Sequence, residues 1–250
     1  MFTMSAKSAR VPPGERIYAV GDIHGRLDLL DGLLDQIVGY EEAYPCSGTR
    51  LIFLGDYIDR GPDSFGVIER FVQGLPGGLR AHFLKGNHEA IMLECLKGPA
   101  WFANWAANGG LATVKSYGVD ISAAADAETV LRQLRNALPP AHRAFLRGLK
   151  TTMEVGDYFF VHAGVRPGLP LDGQTEEDYL FIREKFLRHR GDFGKIVVHG
   201  HTPVAEPEVF PNRIGIDTGS FFSGRLTALR LEGTSRAFLT AEGDGQWRER

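Results

Sequence analysis

Five short blocks of this chain set an acid, an amide or an imidazole beside a glycine: GDIHG (21–25), GDYIDRG (55–61), GNHE (86–89), HAG (162–164) and GHTP (200–203). Each follows an apolar run, such as RIYAV (16–20), LIFL (51–54) or KIVV (195–198). A run of that length reads as a buried strand, and a glycine and acid at its end as a sharp exit into a loop. Singly, an Asp after a strand caps a helix and a His is a hydrogen-bonded structural residue. Strand ends of one sheet converge in space, however, and capping does not account for five of them. Asp22, His24, Asp56, Asn87, His162 and His201 together offer two carboxylates, one amide and three imidazoles. That set is too large for one open catalytic metal and suits two divalent cations sharing a bridging carboxylate. Such a pair keeps net positive charge, which draws hydroxide and phosphate, and the neutral Asn87 leaves that charge intact. Mixed nitrogen and oxygen donors favour manganese, with iron, zinc or cobalt as alternatives, over magnesium or calcium. His199 is the near rival of His201.

The elements that must position these groups follow from periodicity. After RIYAV and its loop, Leu27, Leu30, Leu34, Ile37 and Val38 share one helical face. The strand, loop and helix unit recurs with LIFL and a helix through Phe65, Ile68 and Val72, then with LRAHFL (79–84) and AIMLECL. Strands alternating with helices predict an α/β core whose site lies at the carboxyl ends of the strands. Residues 97–150 break the rhythm with Trp101, Trp105, Gly109-Gly110 and Pro139-Pro140, and read as a helical insert with helices near 126–137 and 141–149. The insert is either plain packing or a cover that shapes substrate choice. TTMEVGDYFFV reads as a hairpin turning at Gly156-Asp157, a helix follows near 176–189, and hairpins close the chain. Late hairpins after early strand–helix units suggest two packed sheets with helices outside. Residues 1–15 read as a loose tail, and 16–245 as a single domain.

In order and type, GDIHG, GDYIDRGPDS, GNHE, HAG and GHTP resemble the metal-dependent phosphoprotein phosphatases, above all their compact bacterial and phage-type members within the calcineurin-like metallophosphoesterases. The resemblance spans residues 21–203. It implies a central β-sandwich of mixed sheets flanked by helices, with a two-metal site at its edge. By position, Asp22 and His24 match ligands of the first metal, Asp56 the bridge, and Asn87, His162 and His201 ligands of the second. His201 is preferred over His199 because it follows the strand-ending glycine, as the family's ligand does. His88 matches the acid that protonates the leaving oxygen, Asp59 the carboxylate that orients it, and Arg60 a phosphate clamp. Arg183 matches a second substrate arginine, or is an exposed helix arginine paired with a nearby acid. Where many eukaryotic members carry a Tyr after the last metal histidine, SFFSG (220–224) offers only Phe221 and Phe222.

The implied activity is hydrolysis of a phosphomonoester by direct attack of a metal-bridging hydroxide, most readily on phosphoserine or phosphothreonine of a protein or peptide. Dinucleoside tetraphosphatases of the same superfamily are the second reading, ranked lower because they typically carry Gln for the first-block His and lack the DRG acid. A catalytically silent phosphoprotein-binding module is the third, and its mark, a missing ligand or acid, is not found. A formal charge of −3, with Lys and Arg (28) fewer than Asp and Glu (31), argues against a nucleic-acid partner. No apolar stretch is long enough to span a membrane. Cys46 and Cys95 form no CxxC, which fits a reducing, cytoplasmic setting.

Overall fold

The structure, a computed structural model, describes residues 9–122 and 126–245. Two five-stranded mixed sheets stack face to face. The first has the order β10-β9-β1-β2-β3, from β1 (Glu15–Val20), β2 (Gly48–Phe53), β3 (Arg80–Phe83), β9 (Arg225–Glu232) and β10 (Ser235–Glu242). The second has the order β4-β5-β6-β8-β7, from β4 (Thr152–Val155), β5 (Tyr158–Val161), β6 (Ile196–His199), β7 (Glu208–Val209) and β8 (Arg213–Gly215). β1, β2 and β3 are parallel, as are β5, β6 and β8, so six strand ends with the chemistry-bearing loops face one rim. The predicted hairpin at Gly156-Asp157 is the antiparallel β4–β5 pair.

Alternation along the strands builds the layers. Ile17 and Ala19 of β1, with Ile52 and Leu54, meet Tyr158, Phe160, Val198 and Ile214 between the sheets. Tyr18 and Val20, on the opposite side of β1, pack under the helices α1 (Leu27–Ala43) and α2 (Ser64–Gln73). In α1 the buried stripe is Leu29, Leu30, Leu33, Leu34 and Ile37, one residue around from the predicted face. In α2 it is Val67, Ile68 and Phe71, while Val72 lies outward. Asp63 caps α2 by accepting the Gly66 N–H at 2.7 Å. A smaller cluster of Phe159, Val161, Val165, Tyr179 and Phe186 covers the second sheet's outer face. The helix expected near 176–189 is two pieces, α8 (Glu176–Phe181) and α9 (Glu184–Leu187), because Ile182 and Arg183 leave helical geometry.

Between α3 (Asn87–Cys95) and β4 the insert holds α4 (Phe102–Trp105), a wide turn over Ala106–Gly110, α5 (Leu111–Ser116), α6 (Ala127–Ala137) and α7 (Pro140–Gly148). It shares the core of α2 and α3 through Trp105, Val114, Leu131, Leu134 and Leu146. A relay ties it to α2: His142 Nε2 lies 2.6 Å from Glu69, and His142 Nδ1 2.8 Å from the Tyr117 hydroxyl. Among the described residues no helix is long and apolar enough to cross a membrane.

Residues 1–8 of the expected loose tail lie outside the described residues, but 9–14 are docked. The Val11 N–H donates to Gly233 O at 3.0 Å, Asp157 N–H to Arg10 O at 3.0 Å, and the Val11 side chain is buried. The segment thus bridges a turn of each sheet. Val11→Ala should cost about 1–2 kcal/mol and lower the melting temperature by a few degrees; an unchanged melting curve would show that 9–14 adds nothing to the domain.

Candidate active site

Backbone bonds between loops draw the rim together. Ile23 and His24 N–H groups donate to Asp56 O at 3.1 and 2.9 Å, and Gly200 N–H donates to His162 O at 2.8 Å. Glu89, fully buried on α3, accepts the N–H groups of Asp56 (3.0 Å), Tyr57 (2.8 Å), Ile58 (3.3 Å) and Gly86 (2.9 Å). Gly86 must be glycine, since a Cβ there would stand 2.1 Å from Asp56 Oδ1. Among the described residues, the non-glycine residues with positive φ are His24, Asp56, Asp59, Arg60 and His201, all of them site residues. Such backbone is held only where its surroundings over-determine it.

Asp56 lies at the centre. His24 Nε2 and His88 Nε2 stand 3.6 and 3.8 Å from its Oδ2, and His162 Nε2 stands 3.5 Å from its Oδ1. The ring of His24 is oriented by Nδ1–H donating to Ile58 O (2.9 Å), and that of His162 by Nδ1–H donating to Leu54 O (3.0 Å). In each ring this leaves Nε2 as a bare lone pair directed inward. Asn87 turns its amide oxygen to both His162 Nε2 and His201 Nδ1, 2.9 Å from each. Burial holds His24 well below the usual imidazole value, lowers His162 and takes His201 down to about 2, so all three are neutral. Burial opposes the Asp56 charge, but the carboxyl is held below its usual range, favoured by the charge of His88, the one neighbouring imidazole whose value is raised.

Buried lone pairs facing one another at these distances repel unless a cation lies among them, and neutral imidazole, carboxylate and amide oxygen are cation ligands. Two three-residue groups meet that need, His24–Asp56–His88 and Asp56–His162–His201, each with ligand atoms within 4.8 Å of one another and with Asp56 common to both. They can hold two metal ions, but a His88 Nε2 that carries a proton cannot ligate, and the first metal would then be left to His24, Asp56 and the neighbouring Asp22. A protein cation already answers the first group: Arg60 Nη1 donates to His24 Nε2 at 2.8 Å. The donor chemistry therefore fits the metals implied by the sequence.

Asp22 is buried at the rim, accepting the His201 N–H at 3.0 and 3.3 Å, but it stands outside the first three-residue group, where His88 stands instead. Burial, then the charges of Asp217 and Asp56, pushes Asp22 well up; burial takes Asp217 up to about 6. His199 is apart from the cluster, near Gly200 O (3.1 Å) and Arg213 Nη1 (3.3 Å), with its ring against Phe186. The Arg60 guanidinium lies 5.0 Å over the Phe221 ring. Arg183, exposed in the α8–α9 break, has no acidic partner among the described residues, and its charge helps depress His162 and His201. His88 Nδ1 lies 2.6 Å from Asp59 Oδ2. Sequence reading missed Asp217, Glu89 and Thr113, and took Trp105 only as an insert residue that shapes substrate choice. Asp217 did carry a signal, being one more strand-end acid after RIGI, whereas the other three act across long sequence separations.

With the metal pair intact, each chain should take up about two equivalents of divalent metal. Asp56→Asn should weaken both equivalents and Asp22→Asn only one, read by elemental analysis and calorimetric titration. Equal losses would show that Asp56 is not shared. His201→Ala should lose metal that His199→Ala retains.

The chain matches the calcineurin-like phosphoesterase family over residues 15–222. It is 30% identical to an asymmetrical bis(5'-nucleosyl)-tetraphosphatase PrpE of Geobacillus thermodenitrificans, over 84% of this chain and 88% of that protein. To the PrpE of Anoxybacillus flavithermus it is 31% identical, again over 84% and 88%. A crystal structure described as a candidate diadenosine tetraphosphatase superposes with TM-score 0.63 at 23% identity, covering 95% of this chain and 100% of that one, which shows a shared fold. These relatives are named for nucleotide hydrolysis, and that overturns the expectation of a phosphorylated protein or peptide as partner. The expectation leaned on the first-block His24 and the intact Asp59 and His88 pair, and the roles the resemblance implies for them, at the metal and the leaving oxygen, would be the same for an ester and an anhydride. Matched over most of its length, the chain belongs to the calcineurin-like phosphoesterase family.

Proposed function

We propose that this protein hydrolyses a dinucleoside polyphosphate, the alternative raised at the sequence level, with two manganese ions as its metals. The observation that carries the substrate class is the likeness of about a third of aligned residues to tetraphosphatases along most of both chains. Manganese is favoured because imidazoles dominate the donor set. When bound, the two cations supply Lewis acidity that makes water a nucleophile near neutral pH and counters phosphoryl charge.

The remaining tasks fall to side chains. Arg60 presents a planar fork of donors to a non-bridging phosphate oxygen, its plane supported by Phe221. Arg183, exposed and without an acid partner among the described residues, is a second contact for the chain of phosphates. His88 is the proton donor. Burial opposes its charge, but Asp56 and Asp59 outweigh burial and hold the imidazole above its usual value. With Nδ1–H given to Asp59, Nε2–H is free to pass its proton to the oxygen that leaves phosphorus. Water supplies the incoming oxygen, so the bond formed and the bond broken both lie at phosphorus and the proton ends on the departing nucleotide.

The substrate reading is tested by rates on diadenosine tetraphosphate and on p-nitrophenyl phosphate with manganese-loaded protein, with products separated by ion exchange. The expected kcat/KM is at least about 100-fold higher for the dinucleotide, with unequal nucleotide products; a dinucleotide left intact would overturn it. The role of His88 is tested separately. His88→Asn should lose roughly 10²-fold on phenyl phosphate, a poor leaving group, and distinctly less on p-nitrophenyl phosphate. Equal losses would assign His88 to binding or to the nucleophile.

A further inference from the structure

We infer that Trp105 and Thr113, both from the helical insert, are positioning residues for proton donation, acting through Asp59 on His88. Asp59 has no access to solvent, so protein groups must supply every hydrogen bond its carboxylate makes. Oδ2 accepts from His88 Nδ1 (2.6 Å) and from Trp105 Nε1 (2.8 Å), while Oδ1 accepts from the Thr113 hydroxyl (2.5 Å). The Asp59 N–H is shared between Ser64 Oγ (3.0 Å) and Thr113 Oγ1 (2.9 Å). Since Thr113 spends its proton on Asp59, Ser64 is the donor in their 3.0 Å contact. Every proton of this cluster then has one direction, and the carboxylate cannot turn about its axis without breaking two bonds to the insert.

The insert is shaped for this contact. Trp105 is fully buried, and its ring packs against Gly110, where a Cβ would stand 2.5 Å from the indole. The neighbouring Gly109 carbonyl accepts the Arg60 N–H at 3.1 Å, fixing the residue after Asp59 as well. The expectation that this segment is packing or a substrate cover therefore leaves out its contact with the chemistry.

The inference rests on the reading of His88 as proton donor, and the test separates the two. Trp105→Phe keeps an aromatic ring, smaller than the indole, and loses the N–H; Thr113→Val keeps the shape and loses the hydroxyl. Each is compared with His88→Asn by kcat and KM on phenyl and p-nitrophenyl phosphate, with metal content and melting temperature measured. Each insert variant should lose roughly tenfold in kcat on phenyl phosphate and less than about twofold on p-nitrophenyl phosphate, with KM unchanged. A merely structural role would lower both rates alike. If His88→Asn separates the two substrates and neither insert variant does, the inference fails while the donor reading stands. If His88→Asn does not separate them, the donor reading itself fails. Should Thr113→Val not fold, Trp105→Phe decides alone.

Discussion

Four backbone N–H groups converge on the carboxylate of Glu89, and the rest of the site depends on that convergence. The loops after β2 and β3 must run inside the protein to bring Asp56, Asn87 and His88 together, where their N–H groups find neither sheet partners nor water. Each such group left unsatisfied costs about 1–3 kcal/mol. One acidic side chain on the first turn of α3 satisfies all four, caps its own helix and locks Asp56 at φ 52. Burial pushes Glu89 up to about 7, and the backbone donors of Tyr57 and Gly86 oppose that shift. A carboxamide would meet some of the same N–H groups with N–H of its own.

The same logic of opposed costs runs through the cluster. Neutral imidazoles, two carboxylates and an amide oxygen face each other in a space closed to solvent, an arrangement that folding alone does not favour. Residues in left-handed backbone add strain of about 1–3 kcal/mol each. The sandwich core, with Ile17, Ile52, Phe160 and Val198 fully buried, absorbs these costs. Rigidity of the rim is what allows lone pairs to be aimed at a common point.

Much of the rim was legible because its signal is local: an apolar run, a glycine and a chelating side chain occur within seven or eight residues. Strands, the two-sheet arrangement and the insert's helices at 127–137 and 140–148 follow from the same short-range patterns. What depends on distant residues was not legible. Trp105 and Thr113 reach Asp59 across 46 and 54 positions, and nothing near them in sequence marks an indole or a hydroxyl as a carboxylate partner. The break between α8 and α9 is similarly tertiary, since the local sequence LFIREKFL favours a continuous helix. Substrate class was misread for a chemical reason: the groups proposed as metal ligands and proton donor would act at phosphorus and the leaving oxygen, and an ester and an anhydride look alike there.

The arginines distinguish scaffold from site by their partners. Arg16, Arg26, Arg166 and Arg213 each face a carboxylate, so their charge is spent within the fold. Arg60 is held by other means: the Gly109 carbonyl at its backbone and the Phe221 ring under its guanidinium, with a contact to His24 Nε2 that a metal on that nitrogen would replace. None of these cancels a positive charge, and a ring face is a low-entropy support that leaves the in-plane donors free. Phe221 also meets His24 edge-on at 5.7 Å, so one side chain braces both the arginine and the imidazole it touches. A phenyl ring at this position therefore forgoes a hydroxyl and keeps the support, which is the property an unpaired arginine beside a cation site requires. The Arg60 charge acts on the buried Asp22 and Asp217 with no salt bridge to either among the described residues, so its donors stay open to the phosphate contact proposed for it.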